Sequence, residues 1–142
     1  MSQENVDLVR AAMFRDPVDL VELSHSGEFQ RAIDPSAFAP DVVVVFMTPS
    51  GPPTEYSGIA GMGAGWRDWL APWASYQVVV DEMRDAGDRV VALATLRGDT
   101  LRDGVHVEQP GAAVVTIRDG KIARVEFHLD RREALESAGL SA

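Results

Sequence analysis

Residues 89–129 read RVVALATLRGDTLRDGVHVEQPGAAVVTIRDGKIARVEFHL, and this stretch decides the fold. Four strand-like runs lie in it: Arg89–Leu96, Val105–Glu108, Ala112–Ile117 and Lys121–Leu129. Asp103-Gly104 and Asp119-Gly120 fall between runs, and Ala86-Gly87-Asp88 precedes the first. Asp-Gly between apolar alternations signals a hairpin, because the tight turn needs positive φ at its centre. The stretch therefore reads as a long antiparallel meander, followed by a helix-like tail, Asp130–Gly139. Gln109-Pro110-Gly111 interrupts it. Proline donates nothing to a ladder, so a bulge or an edge is expected there, and a bulge would bend the sheet.

Working outward, Tyr76–Met83 adds a strand before the meander. It is preceded by an apolar face at helical spacing, Met62, Trp66, Trp69, Leu70 and Trp73, with Pro72 making the last turn irregular. All three tryptophans lie on this face, as core packing or as walls of an apolar cavity. Asp41–Met47 (DVVVVFM) is a β-branched run without alternation, hence a strand buried on both sides. Thr48–Thr54 holds three prolines and one glycine and reads as loop, either a lid or a plain surface connection, with a short strand at Glu55–Gly58 after it. Three helices come first. Ser2 caps one carrying Val6, Val9, Ala12 and Met13. Asp16-Pro17 opens a second with Val18 and Val21, and with Leu20 and Leu23 as further candidates, closed by Gly27, and Glu28–Ile33 is a short third. The fold class is α+β, one domain over residues 1–142. N-terminal helices pack on a strongly curved, mostly antiparallel sheet that forms a cone with an internal pocket.

Composition narrows the function. The chain has 142 residues and no cysteine, which excludes disulfides, thiolate catalysis and Cys-based zinc sites. A formal net charge of −9 opposes binding to nucleic acid or anionic lipid. No apolar leader opens the sequence and no run spans a bilayer, so a cytoplasmic location is expected. The cluster Gly58–Gly65 lacks the lysine and hydroxyl residue of a phosphate loop.

The element order resembles the nuclear-transport-factor-2-like superfamily and, within it, SnoaL-like proteins. Tyr56-Ser57-Gly58, Trp66–Leu70, Ala86–Val91, Thr116–Ile122 and the tail Leu129–Leu135 through Gly139-Leu140 carry the resemblance, which spans nearly the whole chain. It implies the cone fold and a homodimer formed through the convex sheet face. Members include cyclases, isomerases, epoxide hydrolases, dehydratases and non-catalytic binders, so chemistry must come from the site.

Two constellations offer chemistry. Arg97 and Asp99 share one face of their strand, and together with Glu126 they resemble the acid–Arg–acid set of limonene-epoxide hydrolases. In that set one carboxylate activates water while the other protonates the leaving oxygen. The relatives use Asp where this chain has Glu126, and their polar residues on the first strand are replaced by Val45-Phe46-Met47. The same positions leave no carboxylate for ketosteroid-isomerase-like chemistry. In the second constellation, Arg124, Glu126 and His128 alternate with Val125, Phe127 and Leu129. If the polar trio faces inward, His128 is the general base and Glu126 orients it or protonates substrate; if the apolar trio does, the polar one is exposed. Inward polar is the favoured orientation.

The expected site is therefore Arg97, Asp99, Glu126 and His128 for catalysis, with Tyr56, Trp66, Trp69 and His106 contacting substrate. Neither a cofactor nor a metal is expected: His106, Glu108 and His128 lack the spacing of a ligand set. The substrate class is a hydrophobic, oxygenated small molecule. The alternative is a binding or dimerisation module of the same fold without catalysis.

Overall fold

The computed structural model describes residues 2–12, 20–21, 35–47 and 52–140. In chain order its elements are α1 (Ser2–Ala12), a 3-10 turn (Pro35–Ala37), β1 (Phe38–Phe46), β2 (Thr54–Ser57), α2 (Gly58–Leu70), β3 (Trp73–Asp85), β4 (Arg89–Thr100), β5 (His106–Arg118), β6 (Lys121–His128) and α3 (Arg131–Ser137). Leu20 and Val21 are helical and buried, as expected for the second helix. The rest of that helix, the short third helix, Met13 and the loop positions 48–51 lie outside the described residues.

The meander forms as its turns require. Asp119 and Gly120 both have positive φ, 54° and 74°, which is the paired left-handed geometry of a two-residue hairpin. The six strands run in the order β2-β1-β6-β5-β4-β3. Every pairing is antiparallel except β1 with β6. That parallel neighbour explains the unalternating DVVVVFM run. β1 lies inside the sheet, and Val42, Val44, Val45 and Phe46 are all buried, Val45 on the face opposite its neighbours.

Several expected boundaries shift. Helix α2 ends at Leu70, so Trp73 belongs to β3 rather than to the helical face; Pro72 stops the helix just before it. No bulge occurs at Pro110, which pairs with Thr95 in an unbroken β4–β5 register. β6 pairs with β5 only as far as Ala112, so Pro110 lies where β5 has an open edge and its missing N–H costs nothing. The bend falls on β3 instead. The register slips between Val80 and Glu82, leaving Asp81 as the extra residue. Asp81 accepts from Thr95 Oγ1 at 2.8 Å and from Arg131 Nη2 at 2.7 Å. The same Arg131 nitrogen donates to the carbonyl of Ala94 at 2.6 Å, tying α3 to β3 and β4 at the bend.

The sheet has two differently filled faces. On its concave side, α1, Leu20, Val21 and α2 pack over Val42, Val44, Val90, Val115, Ile122 and Val125 in the main core. On the convex side, Ala134 and Leu135 of α3 cover Val91, Leu93, Ala112 and Val114. Asp130 caps α3, accepting from the amides of Arg132 and Glu133. Among the described residues, no helix is long and apolar enough to cross a membrane.

Candidate functional site

Strand alternation decides which residues reach the interior. On β4, Ala92, Ala94 and Leu96 share the concave face, beside Met83, Val80 and Val78 of β3 and Ala113 of β5. These strands place alanine where a β-sheet usually carries larger branched residues. The missing side-chain volume opposite Trp66, Trp69, Phe46 and Phe127 leaves a cavity of about 60 Å³. At roughly 10–15 Å³ per water that is room for a few small groups, and a space with so few polar walls favours apolar contents.

An aromatic cluster forms one end of the cavity. The Phe46 ring stacks on Trp69 at 5.5 Å and meets Trp66 edge-on at 5.4 Å and Phe127 at 5.1 Å. Helix α2 can approach this closely because Gly65 faces Phe46 and Tyr56; a Cβ there would lie 2.8 Å from both rings. Tyr76 is buried beside Trp66. Burial raises the Tyr76 phenol above its usual range, an effect that the neighbouring Trp69 indole only partly offsets.

Toward the outside the cavity shares Trp69, Tyr76 and Leu129 with an open recess of about 390 Å³, which adds Asp68, Pro72, Trp73 and Gln109. Tyr56, expected as a wall, is absent from both linings among the described residues. Its hydroxyl instead donates to Asp68 Oδ2 at 2.8 Å. That bond, with burial and the Asp68 charge behind it, raises the Tyr56 phenol.

The polar candidates fall elsewhere. Phe127 and Leu129 take the cavity side of the last strand, so Arg124 and Glu126, one residue out of phase, take the convex side. The favoured inward orientation of that trio is thereby corrected for Arg124 and Glu126, whereas His128 does reach the cavity wall. The register of β6 against β1 sets Phe127 beside Phe46, inside the aromatic cluster, and alternation does the rest. Glu126 accepts from Arg124 Nε at 2.7 Å and pairs with His128 Nε2 at 3.2 Å. Burial, the largest influence on Glu126, pushes its carboxyl up, but the bonds to Arg124 and His128 outweigh it and hold the group below its usual range. His128 is buried and forms part of the cavity wall at the strand's end, and its Nδ1 has no partner among the described residues.

Arg97, Asp99 and His106 come together, away from the cavity. His106 Nδ1 lies 2.9 Å from Asp99 and its Nε2 3.0 Å from Glu108, which also pairs with Arg97 at 3.3 Å. Ser75 donates to Asp99 at 3.0 Å. All four ionic groups are about half exposed. Hydrogen bonds to Asp99 and Glu108 raise the His106 imidazole, and the bonds from His106 and then Ser75 lower the Asp99 carboxyl. The cluster stands on the opposite face from Ala94 and Leu96, so the structure joins Arg97 to Asp99 and His106 but not to Glu126 or His128. Among the described residues no group of three acidic or histidine side chains is arranged to hold a metal ion.

Sequence reasoning missed the alanines and Asp68. The alternate-position alanines of β4 were a legible signal for space. Asp68 carried none, since only the fold sets it at the recess.

Comparison with known proteins agrees with this architecture. The profile of the SnoaL-like domain matches residues 19–125. Among solved structures, an NTF2-like protein of unknown function from Burkholderia pseudomallei is 23% identical, with 94% of this chain and 95% of that one covered and a TM-score of 0.66. A Jannaschia protein described as a SnoaL-like polyketide cyclase is 20% identical over 96% and 92% of the two chains, TM-score 0.64. A Catenulispora acidiphila protein with a ketosteroid-isomerase-like fold, solved in complex with trimethylamine, is 19% identical over 75% and 79%, TM-score 0.58. No curated protein sequence matches.

Proposed function

From the premise that this chain belongs to the SnoaL-like family, we propose that it binds a small, largely apolar molecule in the cavity beneath α2. The carrying observation is the cavity itself, cleared by Ala92, Ala94 and Ala113 and closed by Trp66, Trp69 and Phe127. A ligand with one oxygen or other polar atom would turn that end toward the recess, where Asp68 and Gln109 stand. The fold is shared with proteins described as cyclases and isomerase-like, one of them solved with a small amine bound. Titrating tryptophan fluorescence with cyclohexanone tests the reading, since two of the three tryptophans line the cavity. Saturable quenching supports it. Quenching that stays linear, as for collisions in solution, sinks it.

A second reading keeps acid–base catalysis, on the strength of His128. This imidazole reaches the wall, is bonded to an ionised Glu126, and has a second nitrogen without a partner among the described residues. It would take a proton from the carbon next to a bound carbonyl, with Glu126 orienting the ring. Deuterium exchange into cyclohexanone, followed by NMR, measures that step. Loss of exchange in His128→Gln with retained binding supports the reading; equal exchange in both proteins rejects it. Arg97 and Asp99 would act only indirectly, from the outer face.

The homodimer implied by the fold family would use the convex face beyond α3. The charges there, around Arg97, Asp99, His106 and Glu108, are paired within the protomer, and each chain carries a net charge of −9, so association should strengthen as salt screens the repulsion. Sedimentation at two ionic strengths checks this.

A further inference from the structure

The recess at the cavity mouth has a composition of its own. Trp69, Trp73 and Tyr76 supply three aromatic rings, and Asp68 supplies a carboxylate on the same lining. Trp73 and Tyr76 are packed edge to face at 5.0 Å. Trp73 also packs against Gly98, where any Cβ would lie 2.6 Å from its ring. The Tyr56 hydroxyl donates to Asp68 Oδ2, and Oδ1 has no hydrogen-bond partner among the described residues.

Aromatic rings beside a carboxylate discriminate among ligand charges. An anion would be repelled by Asp68, and the net charge of −9 adds to that repulsion. A neutral alkyl group gains nothing from the carboxylate. A cation gains twice, from the π-systems of the rings and from the charge of Asp68. The geometry points to this recess as a binding site for an alkylammonium head group, with the alkyl tail passing between Trp69, Tyr76 and Leu129 into the apolar cavity. The inference rests on the small-molecule reading above and names the class of ligand: an amphiphilic amine or quaternary ammonium compound.

The test compares n-butyltrimethylammonium with its neutral carbon isostere, 2,2-dimethylhexane, by tryptophan fluorescence in the full chain. Asp68→Asn keeps the shape and the bond from Tyr56 but removes the charge. It should weaken the ammonium probe about tenfold and leave the isostere unchanged. Added salt should weaken the cation alone. Trp73→Leu is the second variant and should also weaken the cation more than the isostere, with circular dichroism checking that it folds. If the isostere binds and the cation does not, or if Asp68→Asn leaves cation affinity unchanged, the ammonium site is wrong while the apolar cavity reading survives. If neither probe binds, both fall.

Discussion

The two faces of one sheet solve the problem of side-chain chemistry in opposite ways. The concave face carries alanines and aromatics and almost no charge, and it leaves space. The convex face carries Arg97, Asp99, His106, Glu108, Arg124 and Glu126, and every one of these is paired with a neighbour. On the concave face energy comes from area removed from water, so an unfilled volume persists only because large rings brace its walls. On the convex face half-exposed ion pairs contribute little each, and they satisfy one another rather than wait for a substrate. Residues that look most chemical in the sequence thus lie mostly where the structure needs a compatible surface, and the place for a ligand is made by residues with no reactive group.

The comparison can be broken at its strongest point first. Trp66 is 3% exposed and braces the cavity against Phe46 and Phe127. Trp66→Ala should cost about 3–5 kcal/mol in urea unfolding, as large-to-small core changes do. A cost below about 1 kcal/mol would mean that the aromatic end is not a packed wall. Next is a charged side chain of the convex face whose partner is a buried side chain, Glu126 with His128. Glu126→Ala removes the bond to His128 and should cost about 1–3 kcal/mol, since the buried imidazole is left without its carboxylate. By contrast, removing Glu108 from the exposed cluster should cost under about 1 kcal/mol, and equal losses would erase the distinction between the two ionic groups.

Filling the space is the third test. Ala94→Phe projects a ring into the cavity and should weaken cyclohexanone at least about tenfold, while overpacking costs about 1–3 kcal/mol of stability. Unchanged binding would place the ligand elsewhere. The smallest effect is the pH response of the outer cluster. His106 titrates above its ordinary value of 6.5, so its stabilisation is complete below pH 6.5 and is lost as pH rises through the raised folded-state value. Asp99 titrates below its ordinary 3.8, so its stabilisation is present above pH 3.8 and is lost as pH falls through the lowered folded-state value. The stability difference between the wild type and His106→Gln should therefore be greatest between pH 3.8 and 6.5. A difference that grows above pH 7 contradicts the pairing. NMR titration of the ring should show the same raised midpoint, moving down in Asp99→Asn.

Much of this molecule is determined by local sequence. Asp119-Gly120 makes a tight hairpin wherever it falls between strands, because only such residues accept its paired positive φ. The unalternating Val42–Phe46 run demands cover on both faces, and a strand inside the sheet supplies it. These rules act within a few residues, so the meander, the buried first strand and the α+β class were legible before any coordinates. The face presented by the last strand was not. Arg124, Glu126 and His128 alternate as cleanly as Val125, Phe127 and Leu129, and alternation says which residues share a side without saying which side is inside. The register of β6 against β1, which sets Phe127 beside Phe46, decided that. The bend likewise fell on Asp81 rather than Pro110, because Arg131, fifty residues away, reaches the bulge and the adjacent carbonyls. Asp68 stands at the cavity mouth for the same reason: only the docking of α2 on the sheet brings it beside Trp73 and Gln109. Local propensity sets elements and turns, whereas long-range packing chooses which face encloses space, and with it where a ligand can bind.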